Sequence, residues 1–251
     1  MGADRASACH TFASSQRSLE RVSFIQPGAF DRAQPEAAPP RSLEAALALG
    51  MSDTHVFVAR LADRVAPARP MDLADAAHFL CLLHGRYPGL IDYAATRSAD
   101  PQVGKWLARA CEAFVGERAL LTKLTVAAGP ITSTPGQDKC TPAIINLRGA
   151  LNALSQSDRQ GCALGAAFAL VLDWHIIRDV LDVIAQRTGL EPRPSTLPSR
   201  EETLDLAALV GSDRSIGRAM GFGASQMLVQ HRSFWDMLAD RAEARRLQDG
   251  L

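Results

Sequence analysis

The chain has 251 residues, 47% hydrophobic and 22% charged, with 27 basic and 27 acidic side chains, the composition of one globular domain plus some extra length. Zero net charge supplies no long-range field to gather a polyanion, so nucleic acid is not expected as a partner. The longest uncharged apolar run, Gly161 to Leu172, falls short of the roughly 18 residues that a membrane span requires, so no membrane partner is expected either.

The basic residues are 24 Arg against three Lys in an Ala-rich chain, a bias that reads as genomic composition before it reads as function. The five cysteines, Cys9, Cys81, Cys111, Cys140 and Cys162, form no C-x-x-C pair, so neither a disulfide framework nor a zinc ribbon is predicted. A reducing cytoplasm is the simple expectation. Residues 1–25 have no continuous apolar core, so no signal peptide is expected.

In chain order, residues 1–42 hold Pro27, Pro35, Pro39 and Pro40 and lack apolar periodicity, which predicts disorder. Met51 opens a sequence that would serve as a protein start. Residues 1–50 are therefore read as a disordered extension, from a start placed too far upstream or a targeting peptide, and 51–251 as the folded domain.

Beyond residue 70 the punctuation is helical. A helix is predicted from Asp72 to His84, stopped by Gly85 and Pro88. Asp100-Pro101 caps a second one that runs to Ala128. After a polar loop, Ile131 to Cys140, Thr141-Pro142 repeats the signature and opens a third, to Ser155. Ser157 or Asp158 should cap a long helix ending near Thr188-Gly189, and Ser199-Arg-Glu-Glu202 fits a capping box. The last helix, Asp213 to Arg246, contains Gly217, Gly221 and Gly223, which predicts a break near 221. No alternating strand pattern appears, so the expected fold is all-α, a single bundle of five to seven helices. Gly161-x-x-x-Gly165 suits close helix packing first and a flat ligand second.

Several polar residues stand on apolar stripes. Glu117 interrupts Val103, Leu107, Ala110, Phe114, Leu121 and Leu124, and Asp173 has Ala169, Leu170, Ile176 and Ile177 as its three- and four-residue neighbours. His231 interrupts the stripe from Ile216 to Leu238, and His78 stands three residues after Asp75, close enough for the Asp to orient it. His78, Glu117, Asp173 and His231 are thus the candidate interior cluster. An unpaired buried charge costs several kcal/mol, so the carboxylates should meet one another, an Arg such as Arg118 or Arg178, a metal, or a ligand. No Glu-x-x-His motif of the kind that builds di-iron bundles is present, and no metal ligand set or cofactor is assigned. His84, in the last turn before Gly85, reads as a partner of the helix dipole. Trp106, Trp174 and Trp235 read as core anchors. Phosphate-loop, dinucleotide, zincin and serine-hydrolase motifs do not occur.

The segments His84-Gly-Arg-Tyr-Pro-Gly89, Glu117-Arg-Ala-Leu-Leu, Thr125-Val-Ala-Ala-Gly-Pro130 and Ser157-Asp-Arg-Gln-Gly-Cys-Ala-Leu-Gly165, with Asp173-Trp174, resemble a family of uncharacterised alphaproteobacterial proteins over about 55–245. That resemblance implies no activity. A fainter likeness is to the haem-oxygenase-like helical fold, and it would give roles to His78, Glu117, Asp173 and the Gly161/Gly165 face.

Two functions follow as expectations. One is a non-catalytic module binding a small ligand or a protein, its interior polar residues forming a satisfied network. The other is a metal-dependent or haem-oxygenase-like oxidative enzyme, which requires His78, Glu117, Asp173 and His231 around one cavity. The glycine-faced helices also leave a homodimer open.

Overall fold

The computed structural model describes residues 42–66, 68–131, 137–191 and 193–250. The described residues fall in one unit, 38–251, and contain helices and no strand. The helices are α1 (Leu43–Gly50), α2 (Val56–Leu61), α3 (Pro70–His84), α4 (Leu90–Ala95), α5 (Pro101–Ala128), α6 (Gln137–Ser155), α7 (Cys162–Arg187), α8 (Arg200–Val210) and α9 (Arg214–Gln248), with a 3-10 turn at Ser52–Thr54 between the first two. No described helix is long and apolar enough to cross a membrane.

The sequence of α7 is apolar on every side between Cys162 and Leu172, which marks a helix surrounded by others. It is the central post, touching every other described helix. Its Phe168, Trp174, Ile177, Val180 and Leu181 are fully enclosed. The anchoring tryptophans Trp106 and Trp235 lie in the same core, each 2% exposed or less.

The α7–α9 contact is made backbone to backbone. A Cβ on Gly165 would overlap the Met220 carbonyl oxygen, and one on Gly223 would overlap that of Cys162. Gly161, at φ +88°, caps α7 in the left-handed region, where a side chain would be strained and would crowd Ile216. This contact explains two departures from the sequence expectation. The α7 helix starts at Cys162, not at Ser157 or Asp158. The glycines of α9 break nothing: the helix runs unbroken through 221, because Gly223 serves close approach to α7.

Other boundaries also differ. The α4 helix was not foreseen, being only six residues long. The α6 helix begins at Gln137, before the expected Thr141-Pro142 start, and carries Pro142 inside it. Cys140 and Ile144 are buried on either side of that proline, and their burial offsets the one backbone hydrogen bond that proline cannot make. Within the expected polar loop, residues 132–136 lie outside the described residues.

The folded unit begins earlier than Met51. Ser42 caps α1 by accepting from the Ala45 amide, and α1 buries Leu43, Ala46 and Leu47 in a packing chiefly against α9. The expected extension 1–50 is therefore corrected at its C-terminal end, where 43–50 is a packed helix, while the disorder expected for 1–41 falls outside the described residues.

Two measurements check this packing. Gly165→Ala forces α7 from α9 and is expected to lower stability by about 2 kcal/mol or more, read as a lower urea midpoint. A chain started at Met51 loses α1 and places a charged amino group on a residue that is 5% exposed, so its thermal midpoint should fall well below that of the full chain.

Candidate functional site

The four residues singled out by their stripes lie in three separate places. Asp173 and His231 meet at the centre of the bundle; Glu117 belongs to a second network; His78 belongs to neither. The His78 ring nitrogen Nε2 contacts the Gly129 carbonyl oxygen at 2.6 Å, half-buried on a groove of about 580 Å³ shared with Cys81, Arg86 and Val126. Asp75 does not orient it: that carboxylate accepts from Arg241 and Arg245 instead. The four side chains thus do not surround one cavity, as an oxidative site built on them would require. Among the described residues no group of three or more His, Cys, Asp or Glu is placed to hold a metal ion.

Glu117 is held by guanidinium and indole. Arg178 Nη1 donates to its Oε1 at 2.8 Å, Ser195 Oγ donates to the same oxygen at 2.8 Å, and Trp174 Nε1 donates to Oε2 at 3.1 Å. Arg178 also donates to Asp182 and to the Arg193 carbonyl oxygen, so this network ties the connector after α7 to α5 and α7. A third network pairs Asp72 and Asp75 of α3 with Arg241 and Arg245 of α9, all four side chains buried. In both networks every buried carboxylate meets a guanidinium group, the arrangement that makes burial tolerable.

Asp173, wholly buried, is met by donors from two directions. The Ser52 amide donates to Oδ1 at 2.7 Å and the Ser52 hydroxyl to Oδ2 at 2.6 Å, while Trp235 Nε1 donates to that hydroxyl at 2.8 Å. His231 Nδ1 lies 2.6 Å from Oδ2. A carboxylate oxygen accepts, so His231 Nδ1–H is the donor of this contact. Its Nε2 then faces His84 Nε2 at 2.9 Å. His84 is buried, and its ring stands edge-on to Trp174 with centroids 5.2 Å apart. This corrects its expected role as a helix-dipole partner. The signal was present: on α3 its three- and four-residue neighbours are Cys81 and Leu80, so it faces inward. Ser52 carried no such signal, since a three-residue turn has no periodicity.

The chain Asp173–His231–His84 ends at a cleft of about 300 Å³. His84, Arg86, Tyr87, Phe114, Arg118 and Arg148 are among its lining residues, with Leu151, Asn152 and Leu170 behind them. The Gly85–Gly89 connection folds back over it, with Pro88 in the cis form. Arg118 is not a partner of Glu117. It reaches Asp92 of α4 through Nη2, with the rings of Tyr87 and Phe114 5.6 and 5.8 Å from its Cζ. Its Nε and Nη1 are buried and meet no acceptor. Beside Asp92, burial and that carboxylate push the Cys111 thiol up to about 11, which keeps it protonated and unreactive.

Burial, then His231, then Arg118 hold the His84 imidazole well below its ordinary pKa. The unfolded chain takes up the proton first, so the stabilising contribution is present above about pH 6.5 and is lost as pH falls below it. Urea unfolding across that window should show stability falling with pH by up to ~1.4 kcal/mol per unit for this one proton, a component absent in His84→Gln. Glu117→Ala strands Arg178 in the core and should cost about 3–5 kcal/mol in the same measurement, with Glu117→Gln milder.

No curated protein and no solved structure matches the chain. A family of unknown function, DUF6975, matches residues 48–246. That span holds all three interior networks and the cleft, and the chain belongs to this family of unknown function.

Proposed function

We propose that this protein is a non-catalytic binding module for a small molecule, with the cleft beside His84 as its site. One observation carries the reading. The carboxylates of the other two interior networks, Glu117 and the Asp72/Asp75 pair, are met by guanidinium groups, whereas the chain from Asp173 runs through His231 to His84 and leaves His84 Nδ1 without a protein partner among the described residues. Most buried polar groups of a folded protein are paired within it, and the unpaired Nδ1 belongs to a residue that lines the cleft. A chain that ends on the wall of a cavity leaves one position for a ligand.

The size and walls of the cleft support a small molecule over a protein segment. About 300 Å³ is at the small end of ligand pockets, and polar and charged side chains make up about half of the walls, enough to orient a bound molecule.

Thermal-shift measurements with a panel of small carboxylates, phosphates, amines and neutral amides test this on the wild type and on Asn152→Trp, which fills the cleft from a half-buried position on α6. At least one compound should raise the wild-type midpoint and leave that of the variant unchanged. Compounds that shift both proteins equally, or a panel that shifts neither, would overturn the proposal.

A further inference from the structure

The walls of the cleft carry one sign of charge. Arg86 after α3, Arg118 of α5 and Arg148 of α6 all line it, and no Asp or Glu does. Asp92 takes one nitrogen of Arg118, while Nε and Nη1 of the same guanidinium are buried without an acceptor. Arg148 spends Nη1 on the Leu82 carbonyl oxygen. Between these cations lie Leu83, Phe114, Leu151 and Leu170. Arg86 at an exposed and Arg148 at a half-buried position, with the buried Arg118 beside them, put positive charge over an apolar floor, which suits an oxyanion with an apolar body.

His84 sets a condition on such a ligand. While each ring of the His231–His84 pair holds one proton and Asp173 accepts from His231 Nδ1–H, His231 Nε2 is bare and accepts from His84 Nε2–H. His84 Nδ1 is then a lone pair, which repels an oxyanion. One added proton reverses the chain. His231 then carries both N–H groups and donates to His84 Nε2, and His84 Nδ1 becomes a donor. We propose that the cleft binds a small carboxylate with an apolar body and takes up one solvent proton with it, onto the His231–His84 pair. The inference rests on the binding-module reading and names its ligand class.

Cations stand nearest to His84, with carboxylates behind them. It faces His231 of α9, with Asp173 of α7 behind it, and Arg118 of α5, with Asp92 of α4 behind it. Arg86 and Tyr87 of the following connection, Tyr93 of α4 and Arg148 of α6 complete the titratable and charged lining. In the empty cleft, burial and the cations oppose the extra proton. A carboxylate in the cleft offsets those cations, so anion and proton favour each other, and the coupling is reciprocal.

Calorimetric titration of the full chain with benzoate and with benzamide, its neutral counterpart, tests the inference in two buffers of different ionisation enthalpy. Benzoate should bind at least about tenfold more tightly than benzamide. It should take up close to one proton per ligand near pH 7.5, and tighten by about tenfold per unit as pH falls from about 8 to 6.5. Arg86→Ala with Arg148→Ala, at an exposed and a half-buried position, should weaken benzoate by about tenfold and leave benzamide unchanged. His84→Gln should abolish proton uptake.

Benzamide binding as tightly as benzoate, with both lost in Asn152→Trp, would overturn the anion class while the binding module stands. Benzoate binding without proton uptake would overturn the proton coupling. Benzoate binding undiminished in Asn152→Trp would place it at another site and overturn the inference. A wild type that binds neither probe overturns it too, and the thermal-shift panel then shows whether the module reading falls with it.

Discussion

A carboxylate with no solvent exposure at all, Asp173, sets the terms for the centre of this bundle. Burying it would cost several kcal/mol without donors, so the fold must bring donors to it. Ser52 comes from the turn ahead of α2, His231 from α9, and Trp235 holds the Ser52 hydroxyl from behind. Two elements remote in sequence, the Ser52 turn and α9, are thereby pinned to one side chain of α7. The same bond selects the His231 tautomer, and that choice passes to His84 through the contact between their Nε2 atoms. The polarity of the cleft wall is thus set from the middle of α7.

Close packing makes such a centre possible. The α7 and α9 helices approach until backbone meets backbone at Gly165 and Gly223, which places His231 within reach of Asp173. Around this seam, Glu117 with Arg178 and Asp72 and Asp75 with Arg241 and Arg245 act as charge-balanced ties between helices. Ties of this kind are weak sources of net stability, yet removing one partner is costly because the other charge stays buried. They hold helices in register, and the cleft walls on α3, α4, α5 and α6 depend on that register.

Much of the fold could be read residue by residue. Asp100 before Pro101 and Ser199 before the acidic turn of α8 are caps whose chemistry is local, and both helices start where those residues say. The start of α6 and the glycines of α9 were misread because burial of Cys140 and Ile144, and the approach of α7, override local punctuation. The α1 helix was missed because its Ala- and Leu-rich turn is stabilised by α9, almost two hundred residues away. At the site, periodicity placed Glu117, Asp173 and His231 inward, and all three are 3% exposed or less. It set Glu117 and His78 in one cluster with Asp173 and His231, and of the four only Asp173 and His231 meet.

By itself the sequence determined the helical class, the starts of α5, α8 and α9 and the inward direction of the interior polar side chains, because caps and 3.6-residue stripes are local properties of the chain. Tertiary structure alone decided which partner each of those side chains meets. A stripe defines a direction around its own helix and says nothing of the neighbour that faces it. Ser52, His84, Asp173 and His231 are far apart in the chain and become one hydrogen-bonded line only when α3, α7, α9 and the Ser52 turn have packed.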